Sequence, residues 1–219
     1  MQTDKTPIKV IIADDHPIFL DGFRAIFKNE PEFQLLSEAT NGEELLKKAR
    51  DLQPDVIITD ILMPGIDGIQ VTKKLAEEQP GIKIIGLSMI AENSLIADMF
   101  EAGAKGYLMK NAHEDEVLTA IKTVHKGDVY YCKETAEKLL NIIAKRDSEG
   151  LKKINKPELS EREKDVMKLI CQEFSNKQIA TILYISKRTV DWYRNKLLEK
   201  LDVKNTAGIV TYALKNKMC

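Results

Sequence analysis

Short β-branched runs alternate with longer amphipathic stretches along roughly the first 126 residues of the chain. The runs at 8–13, 33–39, 55–59, 83–88 and 106–109 are of strand length. The first, third and fourth are nearly continuous hydrophobics, which is how strands buried on both faces of a parallel sheet read. Between them, 17–28, 42–52, 68–78, 93–102 and 114–125 repeat apolar residues every three or four positions and predict crossover helices. Asn41-Gly42, Pro64-Gly65, Pro80-Gly81 and Lys126-Gly127 fall between these elements as turns. The pattern predicts an α/β fold: a doubly wound, five-stranded parallel sheet covered by helices.

After Pro157 the strand signal disappears. Four helical patterns follow, at 161–172, 176–183, 187–201 and 206–217, with Ser160 and Glu163 spaced as a capping box. This predicts a small all-α domain of four helices. Residues 133–145 read as one further amphipathic helix, followed by a polar stretch from Arg146 to Pro157. The expected organisation is a first domain at 1–128, a linker with a helix at 129–156, and a second domain at 157–219.

Charge separates the two parts. Residues 1–130 hold 22 Asp and Glu against 14 Lys and Arg, a net of −8; the remainder holds 12 against 19, a net of +7. The basic part is the one suited to a polyanion. With 43% hydrophobic and 31% charged residues the chain has the composition of a protein that folds in water. Its longest apolar runs are far short of a membrane span, and its polar start lacks a signal core, so a cytoplasmic protein with no membrane partner is expected. Cys132, Cys171 and Cys219 lie far apart without a paired spacing and are expected as reduced thiols, Cys171 filling core.

In an open α/β sheet the crevice lies outside the carboxyl ends of the strands. Asp14 and Asp15 follow the first strand, Asp60 the third, Ser88 the fourth and Lys110 the fifth. Three carboxylates brought together repel strongly unless a divalent cation sits among them. Mg²⁺ suits such a place, because it uses few protein oxygens and leaves positions open for phosphate. Lys110 adds a second positive group and Ser88 a hydroxyl. Together they describe a pocket that neutralises a transferring phosphoryl group, with Asp60 as the attacking oxygen. Each residue has a plainer explanation alone: Asp15 as a helix cap, Ser88 as a turn residue, Lys110 as a surface charge. Their coincidence on successive strand ends favours the site. His16, a lone histidine before a helix-start proline, is expected to be merely exposed and is placed outside the pocket.

The pair Asp14-Asp15, the run Asp60-Ile61-Leu62-Met63-Pro64-Gly65-Ile66-Asp67-Gly68, Ser88, Tyr107 and Lys110 resemble the receiver domain of bacterial two-component response regulators, over about residues 7–128. The resemblance implies a flavodoxin- or CheY-like fold and phosphorylation of Asp60 by a sensor histidine kinase. It implies Mg²⁺ held directly by Asp15, Asp60 and the main-chain carbonyl of Leu62, with Asp14 acting through water. It makes Ser88 and Tyr107 a switch pair, the hydroxyl moving toward the phosphoryl group and the ring turning inward. Asn111 follows Lys110 where many receivers carry proline.

The runs Leu159-Ser160-Glu161-Arg162-Glu163, Phe174-Ser175-Asn176-Lys177-Gln178-Ile179-Ala180 and Ile185-Ser186-Lys187-Arg188-Thr189-Val190 resemble the LuxR-type helix-turn-helix of the NarL/FixJ class, over about residues 157–217. This implies double-stranded promoter DNA as a partner. In the third helix of this domain Val190, Leu197, Leu198 and Leu201 suit the inner face. By the resemblance Asp191, Trp192 and Asn195 reach base edges, with Lys187, Arg188, Arg194 and Lys196 nearer the phosphates. In this class the last helix contributes to dimers on DNA; packing only within its own domain is the plainer alternative.

The two resemblances together imply a transcription regulator rather than an enzyme. Phosphorylation of Asp60 would shift a two-state equilibrium toward a homodimer competent for paired half-sites. A phosphatase of the haloacid-dehalogenase type would usually carry a second Asp two positions after the nucleophile, and Leu62 stands there. An interaction module that is never phosphorylated would tolerate loss of key residues, and none is missing.

Overall fold

The computed structural model describes residues 6–132 and 159–218, and its contacts divide the chain into two compact units, 1–150 and 151–219. The first unit contains β1 (Ile8–Ala13), α1 (Pro17–Lys28), β2 (Phe33–Ala39), α2 (Gly42–Leu52), β3 (Val56–Asp60), α3 (Gly68–Glu78), β4 (Lys83–Ser88), α4 (Asn93–Glu101), β5 (Gly106–Met109), α5 (Glu114–His125) and β6 (Tyr130–Tyr131). All strand pairings are parallel, in the order β2-β1-β3-β4-β5-β6. The sheet thus has six strands where the pattern predicts five. β6 is a two-residue edge strand on β5, pairing Gly106 with Tyr130 and Tyr107 with Tyr131, too short to show a periodicity. The expected helix at 133–145 lies outside the described residues.

Alternation along the strands divides the core. Val10, Ile12, Val56, Ile58, Ile85 and Leu87 pack with Leu20, Phe23 and Phe27 of α1 and Val117, Ile121 and Val124 of α5. Successive side chains of a strand face opposite ways, so Ile11 and Ile57, also fully buried, serve the face covered by α2 to α4. Each such aliphatic side chain contributes about 1.5–3 kcal/mol by leaving water. The continuous apolar runs are explained by this double burial. Because β1 has β2 on one side and β3 on the other, the chain winds away in two directions from β1, opening the crevice at the carboxyl ends.

The second unit contains α6 (Glu161–Cys171), α7 (Asn176–Leu183), α8 (Lys187–Lys200) and α9 (Thr206–Lys215). Every one of these helices starts from a side-chain cap: Ser160 and Ser175 in full capping boxes, Ser186 to the Thr189 amide, and Asn205 to the Gly208 amide. Such caps satisfy amides that have no partner inside the helix. Val166, Met167, Ile170, Ile179, Val190, Leu197 and Ile209 form its buried centre. Glu163 is fully buried in this unit: its carboxylate closes the first capping box on the Ser160 amide at 2.7 Å and meets Lys200 Nζ at 2.8 Å. Cys132 is a free thiol, as expected, and is buried; Cys171 departs from expectation, being half-buried and disulfide-bonded, and Cys219 lies outside the described residues.

Candidate functional site

The strand ends gather the expected residues of the first unit. Asp14 is fully buried and Asp60 is 4% exposed. Lys110 comes in from the end of β5, anchored by its own amide on the Ser88 carbonyl at 2.8 Å. Its Nζ lies 2.6 Å from Asp14 Oδ2 and 3.0 Å from Asp60 Oδ2, with the side chain only 3% exposed. The Phe19 ring lies beneath the same ammonium, 4.4 Å from centroid to Nζ. One cation thus bridges two buried carboxylates and rests on an aromatic face.

The loop after β3 is held tightly. Leu62 N–H donates to Asp60 Oδ1 at 3.1 Å, and Gly68 N–H donates to the Ile61 carbonyl at 2.9 Å. A Cβ on Gly68 would stand 2.3 Å from the Asp60 carbonyl oxygen, so only glycine lets α3 begin this close to the strand end. Burial pushes the Asp60 carboxyl up from 3.8 to about 6; Lys110 opposes that rise and Asp14 adds to it. The added cost of ionising Asp60 comes chiefly from its burial, and an added positive charge would relieve it.

Ser88 is buried beside the pocket and accepts a hydrogen bond from the Ile90 amide at 3.0 Å. Tyr107 is fully buried, and its hydroxyl donates to the Ile90 carbonyl at 2.6 Å. Burial pushes its pKa well above the usual phenol range. The ring points inward, and Ser88 and Tyr107 hold the N–H and the C=O of the same residue, Ile90, on the two peptide units that flank it. No cis peptide bond occurs among the described residues, the one before Asn111 included.

The donor set fits a hard divalent ion. One oxygen from each of Asp14, Asp15 and Asp60 lies within 4.8 Å of the others, and no hydrogen bond reaches the buried Oδ2 of Asp14 despite its contact with Lys110. Buried carboxylates so arranged need a counter-charge beyond one lysine. The same cluster includes His16, which had been placed outside the pocket. The side chain is 55% exposed, as expected, yet Nδ1 lies 3.1 Å from both Asp14 Oδ1 and Asp15 Oδ1.

In the second unit α7 and α8 form the helix-turn-helix, joined at Tyr184 in the left-handed region at φ 54°. On α8, Lys187 and Asn195 are exposed and Arg188 and Lys196 half-buried. Three of the expected DNA contacts are engaged inside the unit. Asp191 accepts a short hydrogen bond from Asn176 of α7, and Arg194 Nη1 donates to Thr206 Oγ1 at 3.2 Å. Trp192 is only 9% exposed, packed edge-on against Tyr193 at 4.9 Å with Lys196 Nζ 5.9 Å above it. Val190, Leu197 and Leu201 are buried as expected, Leu198 only half so.

Residues 10–122 match the family described as response regulator receiver domain, and residues 157–213 match the luxR family of bacterial regulatory proteins. The chain is 34% identical over 214 residues to the oxygen regulatory protein NreC of Staphylococcus carnosus (strain TM300), covering 96% of this chain and 99% of that protein. The chain belongs to the LuxR-type response regulators. Among solved structures this regulator resembles the RcsB response regulator of Salmonella typhimurium, at 27% identity and a TM-score of 0.59, covering 94% and 98% of the two chains. It also resembles RcsB seen as two dimers bound to two parallel DNAs, at 25% identity, a TM-score of 0.58 and the same coverage. The regulator therefore carries a receiver domain and a DNA-binding helix-turn-helix domain. No helix among its described residues is long and apolar enough to cross a membrane.

Proposed function

We propose that Asp60 is the phosphoacceptor of a two-component system and that its phosphorylation controls binding of promoter DNA by the helix-turn-helix. The observation that carries this reading is Lys110 bridging Asp14 and Asp60 at 2.6 and 3.0 Å in a buried pocket. An oxygen of Asp60 attacks the phosphorus of a phosphohistidine on a sensor kinase; the P–O bond forms as the P–N bond breaks, and the imidazole leaves with the electron pair. Lys110 and the Ser88 hydroxyl stabilise the added negative charge. Mg²⁺, when bound, neutralises phosphoryl oxygens, and Asp15, Asp60 and the Leu62 carbonyl would hold it, Asp14 through water. The residues thus supply a nucleophile and charge stabilisation, and Leu62 stands where a phosphatase of the haloacid-dehalogenase type would carry its second Asp, which supports a non-enzymatic role.

Tyr107 and Ser88 carry the change outward, since both hold the backbone of Ile90, one at its C=O and the other at its N–H. The RcsB dimers on DNA support a homodimer as the DNA-bound form here. Lys187, Arg188, Asn195 and Lys196 contact the DNA, while Asp191, Trp192 and Arg194 fix the recognition helix on its domain. Such a regulator acts in the cytoplasm, where kinase and DNA are both within reach. The domain limits that serve this reading are 1–128, 129–156 and 157–219.

Incubation with Mg²⁺ and acetyl phosphate tests the proposal. Wild type should gain the mass of one phosphoryl group, as a base-labile adduct, and shift toward dimer in analytical ultracentrifugation with tighter DNA binding. Asp60→Asn should show none of the three. An adduct that persists in Asp60→Asn refutes the assignment of the phosphoacceptor.

A further inference from the structure

The turn between α7 and α8 holds a tyrosine where the backbone favours glycine. Tyr184 takes φ 54° and ψ 44°, the left-handed region that a Cβ disfavours. The Ile185 amide closes the turn by donating to the Ala180 carbonyl at 3.0 Å, an arrangement in which glycine or asparagine is usual. Four other described residues besides glycines have a positive φ, Gln53, Glu173, Asp202 and Lys217, and all four are polar. Tyr184 is the aromatic one, and it is 95% exposed. The backbone is thus strained at this point for a ring that hardly touches its own unit.

The surroundings say what the ring is for. Ser186 caps α8 at the Thr189 amide, 3.0 Å away, and Lys187 follows, exposed. In a helix-turn-helix the first residues of the second helix enter the major groove while the first helix crosses the sugar–phosphate backbone. The turn that joins them therefore lies at the edge of the groove. We propose that Tyr184 is a DNA-backbone contact, its hydroxyl donating to a phosphate oxygen and its ring lying along the adjoining deoxyribose. The proposal rests on the reading that α8 enters the groove. A tyrosine hydroxyl is among the uncharged donors that fix a protein's register on a duplex, and its ring supplies apolar contact at one end and a polar tip at the other. Being uncharged, it displaces no counterion and adds affinity without steepening the salt dependence. In this it differs from Lys187 and Arg188 beside it.

Fluorescence anisotropy of the full chain, incubated with Mg²⁺ and acetyl phosphate, on two labelled duplexes of different mixed sequence across a salt series tests this. Thermal denaturation of the same proteins, followed by Trp192 fluorescence, runs beside it. Tyr184→Gly should melt about 2–6 °C higher in the second unit, because the left-handed turn relaxes. The same variant should bind both duplexes about tenfold more weakly, with an unchanged slope of log affinity against log salt. Tyr184→Phe keeps the ring and the turn; it should melt with wild type and bind about fivefold more weakly. A glycine variant that binds as tightly as wild type, or more tightly, overturns the proposal. So does a slope lowered by about one, or a glycine variant that is both less stable and weaker, which makes the ring part of the unit's packing. If Lys187→Ala weakens binding and Tyr184→Gly does not, only the tyrosine contact falls. If wild type binds neither duplex, the placing of α8 in the groove falls with it.

Discussion

Replacing Asp60 by asparagine in metal-free buffer isolates the electrostatic burden of the pocket. Burial raises the Asp60 pKa from 3.8 to about 6 in the folded chain, while the unfolded chain keeps the ordinary value. Between the two values the folded state holds a proton that the unfolded state has released, so stability falls as pH rises through that window. Below it both states are protonated and the difference vanishes; above it both are ionised and the whole penalty applies. A rise of roughly two units corresponds to about 3 kcal/mol. Asparagine keeps the shape and stays neutral, and Lys110 retains Asp14 at 2.6 Å. Asp60→Asn should therefore be more stable than wild type by about 2–3 kcal/mol at pH 7 and nearly equal to it below pH 4. Urea denaturation of both full chains in EDTA across this range, followed by circular dichroism, measures the receiver transition; fluorescence of the only tryptophan, Trp192, follows the second unit separately. A difference that does not change with pH, or a wild type more stable at pH 7, would refute the reasoning.

Three further outcomes are expected. Lys110→Met removes the cation from between two buried carboxylates and should destabilise the metal-free receiver by about 3–5 kcal/mol at pH 7, measured by the same denaturation, with phosphoryl transfer to Asp60 abolished. Glu163→Ala deletes both the capping-box carboxylate and the partner of Lys200, and Trp192 fluorescence should report a loss of about 2–4 kcal/mol in the second unit. Lys187→Ala should weaken DNA binding about equally across sequences and lower the slope of log affinity against log salt by about one; a change confined to one operator position would assign Lys187 to a base instead.

The sheet and its helices were legible because double burial of β1, β3 and β4 leaves continuous apolar runs that are short, β-branched and bounded by turn residues, which separates them from buried helices. The pocket was legible because a parallel sheet places every strand end on one edge, so residues far apart in sequence could be assigned to one crevice. β6 was not: two tyrosines joined to β5 only through the backbone carry no pattern. His16 was misplaced for a different reason. Its exposure was read correctly, but exposure does not measure distance, and the hydrogen bond from its amide to Asp14 that turns the ring toward the carboxylates leaves no trace in composition. The resemblance places Trp192 at the groove, and its burial to 9% exposure, edge-on against Tyr193, is a packing relation within the unit that the helical pattern does not show.

The capped helices of the second unit bear on the order in which the chain is made. With each helix started by its own serine or asparagine, most of what that unit needs lies within a few residues of itself, a topology of low contact order that folds in microseconds to milliseconds. The receiver must instead close β1 onto β3 across the whole of α1, β2 and α2 before its sheet has a centre, a slower search. Synthesis from the N-terminus gives the slow unit the longer time on the ribosome and leaves the fast one for last. The small helical unit thus completes its own fold soon after release, with the receiver already made ahead of it.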